Sequence, residues 1–156
     1  MNISDNARIW IYQSNRFLTT DEEIQITDQL ANFTGQWQAH GQTLTALGEI
    51  KHHLFIILSI DEQLISATGC SIDKSVSLIK KIEQQFGITL FDRFQVAFRM
   101  GTDIKCCNQN QFIELLNNGT ISEEVIVFNN LVATRKALKT DWEVPFKESW
   151  HAQVFL

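Results

Sequence analysis

Long apolar runs and basic clusters are both missing from this sequence. The longest uninterrupted apolar run, residues 54–58, has five residues, far fewer than the ~20 that a transmembrane helix needs. The net charge is -5, and the largest Lys/Arg clusters are the pairs Lys80 with Lys81 and Arg135 with Lys136. Nucleic-acid-binding domains concentrate positive charge to neutralise phosphates. The sequence therefore predicts neither a membrane-spanning protein nor a nucleic-acid partner.

Cysteine and proline are scarce as well. The chain has three cysteines, an odd number that does not favour a disulfide framework. The first ten residues, MNISDNARIW, lack the basic segment followed by an apolar one that marks a signal peptide. We therefore expect a cytoplasmic protein. The single proline, Pro145, is expected to end any helix that precedes it.

The composition that remains is that of a globular domain. Hydrophobic residues make up 44% of the 156 residues and charged residues 20%, a balance that allows a sizeable apolar core. No internal repeat, low-complexity tract or linker interrupts the sequence. Residues 1–156 are therefore expected to form a single domain.

The order of the predicted elements indicates an α+β fold. Alternating or continuous apolar residues predict strands and 3.6-residue periodicity predicts helices. Strands are expected at residues 8–13, 43–50, 54–60, 64–67, 94–98 and 125–128. Helices are expected after a capping box at Thr20 and Glu23, at 71–86 ending at Gly87, at 108–116 and at 131–138. This order favours a mostly antiparallel sheet with helices on one face, as a ferredoxin-like βαββαβ core with a C-terminal extension.

The segment ATGCSIDKSVSLIKK, residues 67–81, contains a Lys-Ser pair that invites comparison with a nucleotide P-loop. That motif requires glycine six residues and one residue before the lysine, because its backbone amides turn inward onto phosphates. With Lys74 as the motif lysine, those two positions hold Thr68 and Asp73. Asp73 would also add a negative charge to a phosphate pocket. The segment is therefore not a P-loop, and ATP hydrolysis is not expected.

The same segment is nevertheless the candidate ligand site. Ser71 is expected to cap the second helix, and a helix N-terminus presents free amides to an anion. An anion could lie on the amides after Cys70 together with the Lys74 side chain, in a pocket from Gly69 to Lys74 that includes Asp73, with Asp61 and Arg93 as candidate neighbours. Two alternatives stay open. A helix N-terminus also favours a thiolate, so Cys70 could be a nucleophile, or Cys70 could pack as a small apolar residue.

Other chemistry is weakly supported. Cys106 and Cys107 with His52 and His53 have the ligand types that zinc prefers, but adjacent ligands rarely both reach one tetrahedral ion. We expect no metal and no cofactor. At the C-terminal end, residues 142–150 hold Trp142, Phe146 and Trp150, and such aromatic residues are enriched at interfaces. This segment predicts a homodimer or a protein-partner surface, with the alternative that it folds back to seal the core.

Four stretches carry a resemblance that covers nearly the whole chain. RIWIYQSNR, SATGCSIDKSVSLIKKIEQQFG, FDRFQVAFR and VPFKESWH resemble a small family of uncharacterised bacterial proteins commonly labelled "ABC transporter ATPase". The sequence has no Walker A, Walker B or signature motif, so the label implies nothing about its function. The leading hypothesis is a non-catalytic module that binds a protein partner or a small anionic ligand at residues 69–74. The alternative is a thiol-dependent enzyme that uses Cys70.

Overall fold

The computed structural model describes residues 2–156. The strands are β1 (Arg8–Gln13), β2 (Gln38–Ala39), β3 (Gln42–Thr43), β4 (Thr45–Lys51), β5 (Phe55–Asp61), β6 (Gln95–Met100), β7 (Asp103–Asn108), β8 (Ile126–Phe128) and β9 (Glu143–Pro145). The helices are α1 (Thr20–Gln36), α2 (Gly69–Phe86), α3 (Gln109–Asn117), α4 (Arg135–Thr140) and α5 (Trp150–Phe155), with a 3-10 turn at Phe146–Glu148. Within residues 2–156, no helix is long and apolar enough to cross a membrane.

The first sheet is built around β5. Its strand order is β1-β5-β4 and both pairings are antiparallel. Side chains on a strand alternate between its two faces, and those of β5 from Phe55 to Ile60 are all buried. An apolar strand without a polar face must be covered on both sides.

Helices α1 and α2 cover one face of the first sheet. Side chains from the two helices and that face form one apolar cluster, to which Leu30, Leu58 and Ile79 each contribute. The Arg16 guanidinium fixes the start of α1 to the end of α2, because it donates to both carboxylate oxygens of Glu22 at 2.8 Å and to the Phe86 carbonyl at 2.9 Å.

The second sheet covers the opposite face. Its strand order is β7-β6-β8-β9, again antiparallel throughout. Phe55 of the first sheet meets Phe128 of the second with ring centroids 5.1 Å apart, and Trp142 packs edge-on against both. On its outer face, the second sheet is covered by α3, the 3-10 turn and α5 through a cluster that includes Phe112, Phe146 and Phe155. The layers are therefore helix, sheet, sheet, helix.

The predicted α+β class with antiparallel sheets is confirmed, whereas the ferredoxin-like core is not found. In that core, the strand after the second helix returns to the sheet of the first three strands. Here, β6 follows α2 but lies in the second sheet. Helices accordingly lie on both outer faces of the sheet pair instead of on one. The reason is that β5 has two apolar faces. Helices α1 and α2 cover only one of them, so the second sheet covers the other.

Several local predictions need small corrections. The first capping box uses Thr19 and Glu22, one residue earlier than predicted. Helix α2 is capped by Thr68 instead of Ser71. Ser71 is the third helical residue, and it completes the capping box because its hydroxyl accepts a hydrogen bond from the Thr68 amide. Gly87 ends α2 in the left-handed conformation, as predicted. Residues 64–67 form no strand.

Close packing of α1 on β4 gives a stability prediction. A Cβ placed on Gly48 would lie 2.8 Å from the Leu30 Cβ, whereas one on Gly35 would have no neighbour within 4 Å. We expect Gly48→Ala to lower the free energy of unfolding by about 1–3 kcal/mol because it overpacks the core. Gly35→Ala, the matched control in α1, should raise it by up to about 1 kcal/mol. Urea unfolding of both variants measures this, and a neutral Gly48→Ala would contradict the packing described.

Candidate ligand-binding site

The residues predicted as a site at 69–74 lie on the surface at the start of α2. Gly69, Cys70, Asp73 and Lys74 are exposed, and Ser71 is buried. The Ser71 carbonyl accepts a hydrogen bond from the Trp37 indole at 2.7 Å, and its side chain belongs to the cap. The segment therefore has a clear structural role, and its binding role stays a prediction.

The two candidate neighbours, Asp61 and Arg93, lie apart. Asp61 is the last residue of β5 and lies near Arg8, the first residue of β1. The Asp61 carboxylate accepts a hydrogen bond from the Gln63 amide at 3.1 Å. Arg93 instead lines a cavity with Tyr12 and Gln13, at the other end of β1. The six residues of β1 span ~20 Å, so the structure does not bring Asp61 and Arg93 to one site.

The cavity that includes Arg93 is the candidate site that brings the most polar side chains together. It has a volume of about 300 Å³ and lies where the end of β1, the α2–β6 connection, the segment after β8 and the start of α5 meet. Polar and aromatic side chains share its wall: Tyr12, Gln13, Phe91, Asp92, Arg93, Gln95, Asn130, Trp150 and His151 line it together with Ile11, Leu90 and Leu131.

A chain of hydrogen bonds fixes how the Gln13 amide is oriented. The Trp142 indole, which can only donate, donates to Asn130 Oδ1 at 3.0 Å. The Asn130 amide nitrogen must then be the donor to Gln13 Oε1, at 2.9 Å. Gln13 Nε2 is therefore a donor, and within residues 2–156 it has no hydrogen-bond partner although it is buried. An unsatisfied buried donor costs about 1–3 kcal/mol.

Trp150 supplies a second donor of the same kind. Among the described residues, Gln13 Nε2 and Trp150 Nε1 are the two buried side-chain nitrogen or oxygen atoms without a partner, and both residues line this cavity. Both atoms are screened from solvent, while other parts of the two side chains line the cavity. The site thus combines two unpaired donors in one wall.

His151 is a titratable residue of the cavity wall that is uncharged at neutral pH. Its ring stacks on Trp150 with centroids 4.0 Å apart, and its Nδ1 lies 3.2 Å from Ser149 Oγ. Because Ser149 Oγ already donates to the Phe146 carbonyl at 2.7 Å, it accepts from His151 Nδ1–H and leaves Nε2 as an acceptor. Burial lowers the pKa of His151 to about 4, so the ring is uncharged at neutral pH.

Arg93 provides the positive charge at this site. It is exposed, and no residue in the range 2–156 forms an ion pair with it. The neighbouring Asp92 carboxylate is turned onto its own loop, where it accepts from the Phe94 backbone amide at 3.0 Å and from Gln95 Nε2 at 3.3 Å. Tyr12 and Phe91 add an apolar surface, with rings edge to face at 5.4 Å.

Sequence reasoning named Arg93 only as a neighbour of residues 69–74, and it did not predict Gln13, Trp150 and His151 as members of one site. Gln13 is the polar last residue of an apolar strand, which is a weak signal for a buried functional amide. Trp150 was predicted within a partner surface at residues 142–150. Trp142 and Phe146 of that segment are buried, as in the alternative that the segment seals the core, and the partner surface stays a prediction.

The histidine and cysteine pairs do not converge. Within residues 2–156, no three His, Cys, Asp or Glu side chains are close enough to hold one metal ion. His52 and His53 form the β4–β5 turn with φ of 56° and 57°, and His53 bonds Glu23 Oε2 at 2.8 Å. Cys106 and Cys107 alternate on β7 and point to opposite faces of the second sheet.

No family model, curated protein or solved structure matches this chain at a significant level. The resemblance to a small bacterial family therefore stays a prediction.

The neutral state of His151 gives a pH prediction. Because the pKa of His151 is about 4 in the folded protein and about 6.5 when unfolded, the unfolded chain binds a proton first as the pH falls. The free energy of unfolding should therefore fall between pH 6.5 and 4, by about 3 kcal/mol from this group. His151→Phe keeps an aromatic ring and removes that contribution. Urea unfolding at several pH values checks this, and parallel profiles for the two proteins would contradict it.

The three free cysteines give a labelling prediction. Cys70 is exposed, whereas burial raises the pKa of Cys106 and raises that of Cys107 to about 11. Iodoacetamide reacts with thiolates, so at pH 8 Cys70 should be alkylated more than about tenfold faster than Cys106 or Cys107. Peptide mass spectrometry of the native protein resolves the three sites. Equal rates would contradict the partial burial of Cys106 and Cys107, and fast Cys70 labelling that persists below pH 7 would favour the thiol-enzyme alternative.

Proposed function

We propose that this protein is a non-catalytic binding module that takes a small anionic ligand, of the carboxylate class, in the cavity between β1 and α5. The observation that carries the proposal is the pair of unpaired donors, Gln13 Nε2 and Trp150 Nε1, in the wall of one cavity. Buried polar groups are nearly always hydrogen-bonded. Two exceptions at one cavity favour a ligand that accepts from both.

The donors and the charge together favour an anion over a neutral acceptor. Arg93 is the cation that has no carboxylate partner at this cavity, because Asp92 is held by its own loop. A carboxylate offers several acceptor positions, and hydrogen bonds to a charged group are roughly twice as strong as neutral ones. Tyr12 and Phe91 would pack against an apolar or aromatic body, and a cavity of about 300 Å³ is at the small end of ligand pockets.

The proposal also covers the location of the protein in the cell and the two alternative roles of residues 69–74. We infer a cytoplasmic protein, which is supported by three free cysteines because disulfides are rare in a reducing compartment. Anion binding at residues 69–74 and a nucleophilic Cys70 remain predictions, supported by the exposure of Cys70 at the start of α2. The cavity is preferred because it adds two buried donors to a positive charge.

The test uses benzoate and 2-naphthoate as probes, with benzamide and 2-naphthamide as uncharged analogues of the same shape. The four tryptophans give separate indole N–H signals in a ¹⁵N-correlated NMR spectrum, and Trp150→Phe identifies the Trp150 signal by its loss. We expect the carboxylates to shift the Trp150 indole signal. The amides should bind about tenfold or more weakly, because they lack the charge that Arg93 and both donors recognise.

Trp150→Phe and Trp37→Phe separate binding from stability. The Trp37 indole donates to the Ser71 carbonyl and lies outside the cavity. Trp37→Phe should lower the free energy of unfolding by about 1–3 kcal/mol and leave carboxylate binding unchanged. Trp150→Phe removes an unpaired donor, so stability should hold while carboxylate affinity falls about tenfold or more. If neither carboxylate shifts the Trp150 signal, or if Trp150→Phe binds as well as the parent protein, the proposal is wrong.

A further inference from the structure

The outer edge of β1 is open beside the cavity. At its start, Ile9 N–H donates to the Ala133 carbonyl and Arg135 N–H to the Ala7 carbonyl, both at 3.0 Å. These two bonds form a single antiparallel bridge between Arg8 and Thr134. Main-chain groups of alternate residues point to the same edge of a strand. The N–H and C=O of Ile11 therefore point to the same edge as those of Ile9.

The segment before Thr134 forms no further pairing with that edge of β1. The Val132 amide bonds back to the Asn129 carbonyl at 3.4 Å, and the Leu131 amide bonds to Asn129 Oδ1 at 3.1 Å. Within residues 2–156, no main-chain hydrogen bond reaches Ile11 from this side. An unpaired strand edge is a template for an extended chain.

A second cavity lies along this open edge. It has a volume of about 320 Å³ and extends from Arg8 to Tyr12 on one side and from Asn130 to Ala133 on the other. It shares Ile11, Tyr12, Asn130 and Leu131 with the first cavity. The two cavities therefore adjoin along β1 and together form a cleft, and Gln13 and Trp150 line its end beyond Tyr12.

We propose that the anion is the free C-terminal carboxylate of an extended peptide, which pairs with the open edge of β1. This inference rests on the proposed function and names the partner. The carboxylate lies at the end of the cleft that holds Gln13, Trp150 and Arg93. Because β1 also runs toward Gln13, the peptide is parallel to β1. Its main chain bonds the N–H and C=O of Ile11, as in other cases of strand addition.

Charge complementarity selects this occupant over an internal segment of a partner. An internal peptide has no carboxylate of its own at the main chain, so it would leave Arg93 and the two donors unpaired. A chain end satisfies them and the edge of β1 together. The peptide side chains that point toward the cleft would meet Trp10 and Leu131, which line it on either side.

The test compares three pools of random acetylated hexapeptides. The first pool has free C-terminal carboxylates, the second carries C-terminal amides, and the third has free carboxylates but N-methylated backbone amides at alternate positions. We expect the first pool to shift the Ile11 amide and the Trp150 indole signals together. The second and third pools should bind at least about tenfold more weakly, because each lacks one half of the contact.

Hydrogen exchange supplies a matched internal control. The Ile9 amide is already paired with Ala133, so its exchange rate should not change, whereas the Ile11 amide should become protected when the first pool binds. Arg93 is exposed, so Arg93→Gln is expected to fold normally. It should weaken the first pool about tenfold and leave the second pool unaffected.

The outcomes separate this inference from the proposed function. If benzoate shifts the Trp150 indole but no pool shifts the Ile11 amide, small carboxylates bind and the peptide inference is overturned. If amidated peptides bind as well as free acids, the carboxylate is not recognised and the inference also fails. Ile11 shifts that depend on protein concentration without peptide would assign the edge to a second copy of the chain. If neither benzoate nor any pool moves the Trp150 signal, both proposals fall.

Discussion

Burial of β5 on both faces is the constraint from which the rest of the structure follows. Side chains alternate along this strand, so Phe55 and Ile57 lie on one face while Ile56 and Leu58 lie on the other, all with no exposed surface. Each such side chain gains about 1.5–3 kcal/mol by leaving water. Helices α1 and α2 cover one face, and the second sheet must therefore cover the other. The four-layer order is a consequence of this one strand.

The candidate site lies where these layers meet at one end of β1. Its wall combines residues that are distant in the chain, from Gln13 to His151. The hydrogen bonds from Trp142 through Asn130 to Gln13 connect the second sheet to the first. They also orient the Gln13 amide so that its nitrogen has no hydrogen-bond partner within residues 2–156. The same network that joins the layers therefore creates the unpaired donor that a ligand can use.

Local features of the fold were predictable from the sequence, and their assembly was not. Capping residues near Thr19 and Thr68, the left-handed end at Gly87 and the apolar run of β5 depend on neighbours in the chain. The assignment of β6 to a second sheet depends on a long-range choice that no local pattern encodes, so the ferredoxin-like order was a reasonable but wrong extension.

The candidate site was predicted only in part for the same reason. Arg93 was proposed only as a neighbour of residues 69–74, whereas the residues that line the cavity with it come from both ends of the chain. The orientation of the Gln13 amide is set by Trp142, more than 120 residues away in sequence. Polar groups whose role depends on being left without a partner carry no sequence signal, because only the packed structure shows which partners are missing.

The most direct measurement of the central claim is a crystal structure of the protein grown with 2-naphthoate. The account predicts electron density for the ligand in the cavity at the end of β1. Its carboxylate should lie within ~3.2 Å of both Gln13 Nε2 and Trp150 Nε1, with the Arg93 side chain turned toward it. Density elsewhere, or a bound carboxylate that leaves both donors without a partner, would contradict the account.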